Sequence, residues 1–160
     1  MGADPYWYYV PYEEDKNNAL QKLRKREFEA GRYNPVMFKF DESLNWGLID
    51  IEKTYPKIHE TIEEIFEDEW AIDQGTSSIL DLNEISETEC FGGAYILKKE
   101  ELIKYFNTEK PTREIIENKV WDYWAYTGDY VESVRGRGIC ITVYDDDMPT
   151  ELYFAGYSWD

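Results

Sequence analysis

The chain has 160 residues, of which 34 are acidic and 17 are Lys or Arg, so its formal net charge is −17 at pH 7. Aromatic residues make up 17% of it, which excludes the composition of a disordered acidic tail and predicts a folded domain with a buried core. The negative charge also disfavours direct nucleic-acid binding, because phosphate contact needs a basic surface.

The first two regular elements are a strand and a helix. Residues 6–10 are aromatic or β-branched and Pro11 follows them, which predicts a strand. Residues 13–30 contain no Gly or Pro, begin with acidic residues and precede Gly31, which predicts a helix. This helix carries the main basic cluster of the chain, but its own acidic residues nearly balance that charge.

A second helix is predicted over residues 56–73, after an irregular stretch at 32–52 that includes a short extended piece at 36–40. Its apolar residues recur at helical spacing: Ile58, Ile62, Ile65, Phe66 and Trp70. Four glutamates fall on the opposite side of a helical wheel: Glu60, Glu63, Glu64 and Glu67. We therefore expect an acidic helix face in the most acidic regular element of the chain.

Glu69 falls inside the apolar stripe of this predicted helix. A buried carboxylate there would need a partner or a raised pKa, and such groups often mark functional sites. The alternative, which we favour, is that the helix frays or turns at this point and Glu69 reaches water.

The rest of the chain predicts an α+β domain. Residues 78–82 predict a short strand, residues 99–106 a short helix, and Pro111 opens a further helix. Two β-rich runs at 138–144 and 150–157 are separated by about five turn residues, which is typical of a β-hairpin. We expect one α+β domain over the whole chain, in which a small antiparallel sheet with this C-terminal hairpin packs against about four helices.

The chain carries no recognisable catalytic or metal-binding pattern. Its single histidine, His59, lies at the edge of the apolar face of the predicted second helix, where a packed or surface role is favoured over catalysis. No second His and no clustered Cys stand at ligand spacing, so we expect no metal and no cofactor. The run Asp145-Asp146-Asp147 lacks the spaced pattern of a cation loop and favours a hairpin turn. Enzymatic activity stays open but is not favoured.

The two cysteines, Cys90 and Cys140, stand far apart without a pairing pattern, so reduced thiols in a cytoplasmic protein are favoured over a disulfide. Cys140 is expected on the opposite strand face from Ile139 and Ile141, as a structural thiol without an activating base. No apolar run approaches the roughly 20 residues of a membrane span, and the N-terminus lacks the regions of a signal peptide. We therefore expect no membrane contact.

A basic cluster in the C-terminal half, residues 135–138 (RGRG), is a candidate anion site. Glycine lets a backbone approach a ligand, and two arginines can hold a phosphate or a carboxylate. Aromatic residues upstream are typical of a core, a pocket lining or a protein interface: Trp121, Tyr123, Trp124, Tyr126 and Tyr130. The candidate anion pocket comprises Arg135, Arg137, Trp124 and Tyr126. The alternative is a turn that leads into a strand, with its arginines at the surface, since the phosphate-loop pattern is absent.

Four short segments carry a resemblance to known proteins. They are residues 8–12 (YYVPY), 26–35 (REFEAGRYNP), 75–82 (GTSSILDL) and 154–160 (FAGYSWD). Together they resemble a family of small, uncharacterised, single-domain bacterial proteins, and the similarity covers both ends and the middle of the chain. The resemblance implies a bacterial or phage source, but the family has no agreed activity and therefore implies no functional residue.

The leading hypothesis is a non-enzymatic binding protein, such as an immunity protein or antitoxin that neutralises a basic partner. Negative charge would steer the encounter, Tyr and Trp anchors would supply affinity, and the four glutamates of the predicted second helix would form the contact surface. One alternative is a small-molecule (anion or nucleotide) binding domain or unrecognised enzyme that uses the pocket at Arg135 and Arg137. Another is a nucleic-acid mimic, against which the basic residues of the first helix count. The sequence leaves the oligomeric state open.

Overall fold

A five-stranded sheet forms the centre of the protein. The computed structural model describes residues 3–41, 49–127 and 134–159, and of residues 126 and 127 the backbone alone. The strands are β1 (Pro5–Pro11), β2 (Glu84–Ser86), β3 (Gly93–Ile96), β4 (Gly138–Asp145) and β5 (Met148–Tyr157). Their order across the sheet is β1-β5-β4-β3-β2, so β1 and β2 are the edge strands.

Six α-helices lie in the described ranges of the chain. They are α1 (Lys16–Ala30), α2 (Val36–Phe40), α3 (Ile62–Ile65), α4 (Glu69–Gln74), α5 (Lys99–Phe106) and α6 (Arg113–Thr127). The predicted α+β class and the C-terminal hairpin are confirmed. Six helices replace the expected four or so, because residues 36–40 are helical rather than extended and the predicted second helix is divided into two. None of these helices is long and apolar enough to span a bilayer.

The sheet is mixed rather than antiparallel. Strands β1, β5 and β4 are antiparallel neighbours, whereas β4 pairs parallel with β3, and β3 pairs parallel with β2. The parallel pair β3–β4 follows from the crossover between them, because α5 and α6 carry the chain back to the starting edge of the sheet. The expectation of an antiparallel sheet is therefore correct for β1, β5 and β4 and wrong for β3 and β2.

The sheet buries both of its faces. Along β4, Cys140 packs with Phe154 and Leu20 in the core beneath α1, while the neighbouring Ile139 and Ile141 pack in a second core beneath α5 and α6. This alternation follows from the two-residue period of a strand, and it confirms the predicted face of Cys140. The protein thus has three layers, with the sheet between α1 on one side and the α5–α6 pair on the other.

The turn of the C-terminal hairpin is shorter than predicted. Asp145 pairs with Met148, so the loop has two residues, Asp146 and Asp147, with φ angles of 48° and 62°. Positive φ at both positions is the geometry of the tight turns that suit the right-handed twist of hairpins, and Asp tolerates it better than most residues. Pro149 then lies within β5, beside an irregularity in the register.

A buried ion pair fixes the end of α1 to the segment that precedes the acidic region. The carboxylate of Glu27 is fully buried and accepts from Nη2 of Arg32 at 2.9 Å and from Nε of Arg26 at 2.8 Å. Nη1 of Arg32 donates to the backbone oxygens of Ile51 and Lys53 at 2.9 and 3.2 Å. Because both charges find several partners, the pair holds this segment in place without an unpaired buried charge.

Candidate binding surfaces

The acidic segment, defined here as residues 60–73, is not one helix. Oγ1 of Thr61 accepts from the backbone N of Glu64 at 3.3 Å, and Oδ1 of Asp68 accepts from the backbone N of Trp70 at 2.9 Å. Both side chains are N-caps, so each starts a new short helix instead of continuing an old one. The prediction of a continuous helix over 56–73 is therefore wrong, although residues 62–65 and 69–74 are helical.

The four glutamates predicted as a contact surface still lie at the protein surface. Glu60, Glu63 and Glu67 are exposed, and Glu64 is partly buried. One carboxylate oxygen of Glu64 accepts from the backbone N of Glu60 at 2.9 Å, which gives Glu64 a local structural role. The helical-wheel arrangement no longer applies, but the exposed carboxylates remain on one short stretch of chain.

These carboxylates form no ion pair with a described residue, although the charge of Glu63 partly offsets the lowering of the pKa of Arg24 by burial. Among the residues that the structure describes there are eight ion pairs, and none includes Glu60, Glu63, Glu64 or Glu67. By contrast, α1 and its flanks form four of the eight, including those of Lys22 with Glu13 and Lys25 with Glu29. Helix α1 thus balances much of its own charge by ion pairs, whereas the acidic segment does not.

Glu69 and His59 take the structural roles that were favoured for them. Glu69 is exposed as the first residue of α4, so it is not a buried carboxylate. Nδ1 of His59 lies 2.8 Å from the hydroxyl of Tyr33. Burial raises the pKa of Tyr33 to about 12, so the phenol keeps its proton at neutral pH.

Two of the four residues of the candidate anion pocket line a small cavity. Arg137 and Trp124 line the same small cavity, but its volume of about 10 Å³ is close to that of one water molecule. Nη1 of Arg137 lies 3.5 Å from Oε2 of Glu89, which already offsets its charge. Arg135 is not part of the lining, and the side chain of Tyr126 lies outside the described part of the protein.

Neither cysteine is set up as a nucleophile. Both thiols are free, and Sγ of Cys90 donates to Oγ of Ser86 at 3.5 Å. Burial raises the pKa of Cys140 to about 12, which keeps it protonated and unreactive at neutral pH. Within ranges 3–41, 49–127 and 134–159, no three His, Cys, Asp or Glu side chains come together as metal ligands.

A buried carboxyl group that the sequence did not single out lies at Asp81. It is 1% exposed, and its Oδ1 accepts from both the backbone N and Oγ1 of Thr76 at 2.7 and 2.8 Å. Its Oδ2 has no hydrogen-bond partner among the described residues, and burial raises the pKa of Asp81 to about 7. The predicted strand over 78–82 is instead a 3-10 turn at Ile79–Asp81, started by the side chain of Ser78.

Asp81 is enclosed rather than presented to a ligand. Gly75 approaches it so closely that a Cβ at that position would lie 2.9 Å from Oδ2 of Asp81 and 3.1 Å from Cγ of Trp159. The φ of Gly75 is 74°, which also favours glycine. The buried carboxyl group therefore stabilises the 75–82 loop, and its protonation affects the stability of the fold.

An aromatic groove lies beside the edge strand β1, on the α6 side of the sheet. It encloses about 250 Å³ and is lined by Trp7, Tyr9, Glu117, Val120, Trp121 and Tyr153. The two tryptophans, 37% and 47% exposed, contact edge to face with ring centroids 5.9 Å apart. A guanidinium already lies over one ring of the groove, since Cζ of Arg113 is 4.0 Å from the centroid of Tyr9.

A second crevice flanks the same strand on the α1 side of the sheet. It encloses about 350 Å³ between the end of β1 and α1. Its lining residues are Val10, Pro11, Glu13, Ala19, Lys22, Leu23 and Arg26. The sequence predicted an interface role for the aromatic cluster around Trp121. Its position beside β1 could not be predicted, because the two segments are distant in the chain.

The fold and these surfaces define a single α+β domain with acidic and aromatic surface features. Comparison with known protein families, curated proteins and solved structures finds no match for the chain. The resemblance to a family of small bacterial proteins therefore stays a prediction.

Proposed function

We propose that this protein is a non-enzymatic module that binds a basic protein partner, in the manner of an immunity protein or antitoxin. The observation that carries the proposal is the acidic segment, whose exposed carboxylates at Glu60, Glu63 and Glu67 have no cation within ion-pair distance among the described residues. An exposed acidic cluster on a protein of net charge −17 attracts a cationic surface at long range and accelerates the encounter.

Apolar contact area accompanies the acidic segment. Phe38 is 42% exposed, and its ring contacts that of Trp70 with centroids 5.2 Å apart. Aromatic side chains beside charged ones are typical of protein interfaces, where the rings supply affinity and the charges supply orientation. The combination favours a protein partner over a small ion, and the cavity of about 10 Å³ at Arg137 does not favour a nucleotide.

The test neutralises three exposed glutamates and measures binding to a panel of basic nucleases over a salt series. The triple variant Glu60→Gln, Glu63→Gln, Glu67→Gln is expected to weaken binding and to flatten the dependence of Kd on salt, since exposed charges act within about 8 Å at physiological ionic strength. The matched control is Glu84→Gln, Glu87→Gln, Glu100→Gln, which removes the same charge from exposed positions elsewhere.

Equal salt dependence in the two triple variants would contradict a role for the acidic segment. Binding by none of the basic proteins, at any salt concentration, would contradict the proposed function itself. Circular dichroism and urea unfolding of both variants exclude a loss of fold as the cause of either outcome.

A further inference from the structure

The outer edge of β1 exposes backbone groups that a second strand can pair with. Tyr12 N donates to Thr150 O at 3.1 Å, and Ser158 N donates to Asp4 O at 3.0 Å, so the even-numbered positions here bond toward β5. Antiparallel pairing alternates, and the backbone N–H and C=O groups of Trp7 and Tyr9 therefore point away from the sheet. Within the described ranges, no strand pairs with this edge.

Two prolines limit how much of the edge is open. Pro5 and Pro11 stand at odd-numbered positions of β1, and neither has an N–H to donate outward. Prolines on an edge strand oppose open-ended pairing of sheets, so the free donors of this edge are confined to Trp7 and Tyr9. The edge is thus suited to a short added strand and unsuited to aggregation.

Crevices on both faces of the sheet flank this same edge. Successive side chains of an added strand point to opposite faces, so they would enter the aromatic groove and the α1 crevice in turn. The groove of about 250 Å³ and the crevice of about 350 Å³ are each large enough for one or two side chains. A backbone edge with side-chain pockets on its two faces is the general arrangement by which proteins bind extended peptides.

The chemistry of the groove favours a cation. Glu117 lines it with an exposed carboxylate, and the faces of Trp7 and Trp121 are aromatic surfaces that attract Lys or Arg. Arg113, which forms an ion pair with Glu151, shows that a guanidinium is accommodated over the ring of Tyr9. A basic side chain there would gain both an ion pair and aromatic contact, whereas an acidic one would face Glu117.

Building on the proposed function, we propose that β1 takes an extended basic segment of the protein partner as a sixth strand, with a Lys or Arg side chain in the aromatic groove. The acidic segment steers the partner, and the edge strand supplies the directional backbone contacts. The occupant is a partner strand rather than a second copy of this chain, because a second β1 would bring Trp and Tyr but no cation to Glu117.

The experiment uses three end-blocked peptides and the 160-residue protein. One peptide alternates lysine and valine, the second carries N-methyl groups on alternate backbone nitrogens, and the third has glutamate in place of lysine. Amide NMR and tryptophan fluorescence titrations are expected to show binding of the first peptide, with shifts at the amides of Trp7 and Tyr9. We expect about tenfold or greater loss of affinity for the methylated peptide, and the glutamate peptide should not bind.

Protein variants distinguish an effect of the aromatic groove from an effect of the overall negative charge. Trp121→Ala and Glu117→Gln are each expected to lower the affinity for the lysine peptide about tenfold. Asp122 is an exposed neighbour outside the groove lining, so Asp122→Asn should leave this affinity unchanged. Since Trp121 and Glu117 are both exposed, neither change should unfold the protein. Equal effects of Glu117→Gln and Asp122→Asn would overturn the groove assignment.

Other results overturn the inference in distinguishable ways. If a basic nuclease binds and responds to the triple neutralisation at Glu60, Glu63 and Glu67, but no peptide shifts the amides of β1, the edge-strand inference fails while the proposed function stands. If the free protein forms a dimer whose concentration dependence shifts the Trp7 and Tyr9 amides, the occupant is a second copy. If neither nuclease nor peptide binds, both proposals fail.

Discussion

Replacing Asp81 by Asn removes one buried ionisable group and keeps its shape. Oδ1 of Asp81 accepts two hydrogen bonds from Thr76, and the amide oxygen of Asn can accept the same two. Hydrogen bonds from Thr76 and from the backbone of Ser77 favour the ionised form, but the cost of burying the charge outweighs them. The substitution therefore isolates the cost of the buried charge.

The expected magnitude follows from the displaced pKa. Burial raises the pKa of Asp81 from 3.8 to about 7 in the folded protein, while the unfolded chain titrates near the ordinary value. Between these values the folded protein holds a proton that the unfolded chain has released, so the free energy of unfolding falls as the pH rises. At 1.36 kcal/mol for each pKa unit, the loss amounts to about 4 kcal/mol between pH 4 and pH 7 and is constant above that.

The predicted pH dependence is tested by urea unfolding of the wild type and of Asp81→Asn at a series of pH values from about 4 to 8. We expect the variant to gain stability relative to the wild type as the pH rises, by up to about 4 kcal/mol. The other 33 acidic residues titrate in both proteins and cancel in the difference. Asp122→Asn, an exposed control, should follow the wild type. Parallel curves for Asp81→Asn and the wild type would refute the reasoning.

Three further changes have defined outcomes. Glu27→Gln leaves Arg32 buried without its counter-charge and should lower the free energy of unfolding by about 3–5 kcal/mol; a loss below about 1 kcal/mol in urea would contradict this. Asp147→Gly relieves a positive φ of 62° in the hairpin turn and should stabilise by up to about 1 kcal/mol, which thermal unfolding checks. Iodoacetamide followed by mass spectrometry should modify Cys90 in the folded protein and Cys140 only after unfolding, because burial protects Cys140 and raises its pKa; equal rates would contradict that assignment.

Local signals account for the elements that the sequence predicted well. Helix α1 begins after the N-cap Asp15 and ends at Gly31, whose φ of 70° closes it, and both are recognisable without tertiary contacts. The predicted second helix is wrong because two capping side chains, Thr61 and Asp68, interrupt its apolar periodicity. A Thr followed three positions later by Glu64 is a recognisable capping signal, so this break was predictable in principle.

Long-range arrangements could not be predicted in the same way. The parallel pairing of β3 with β4 depends on how α5 and α6 cross the sheet, and no local pattern encodes it. The aromatic groove likewise requires Trp7 and Trp121, which meet only after β1 has paired with β5 and α6 has packed on the sheet. The raised pKa of Asp81 is also a product of burial, since its sequence neighbours give no indication of it.

The distribution of charge, rather than its total, separates two explanations for the acidity of this protein. If the acidic residues serve solubility alone, each exposed carboxylate contributes similarly to the long-range potential, and both triple neutralisations should change the salt dependence of binding equally. If the acidic segment is a contact surface, Glu60, Glu63 and Glu67 act within a screening length of the partner and should dominate. The ion pairs of α1 already show that this chain neutralises carboxylates where cations lie close to them. Neither the acidic segment nor Glu84, Glu87 and Glu100 forms such a pair among the described residues, so the comparison of the two triple variants decides between the explanations.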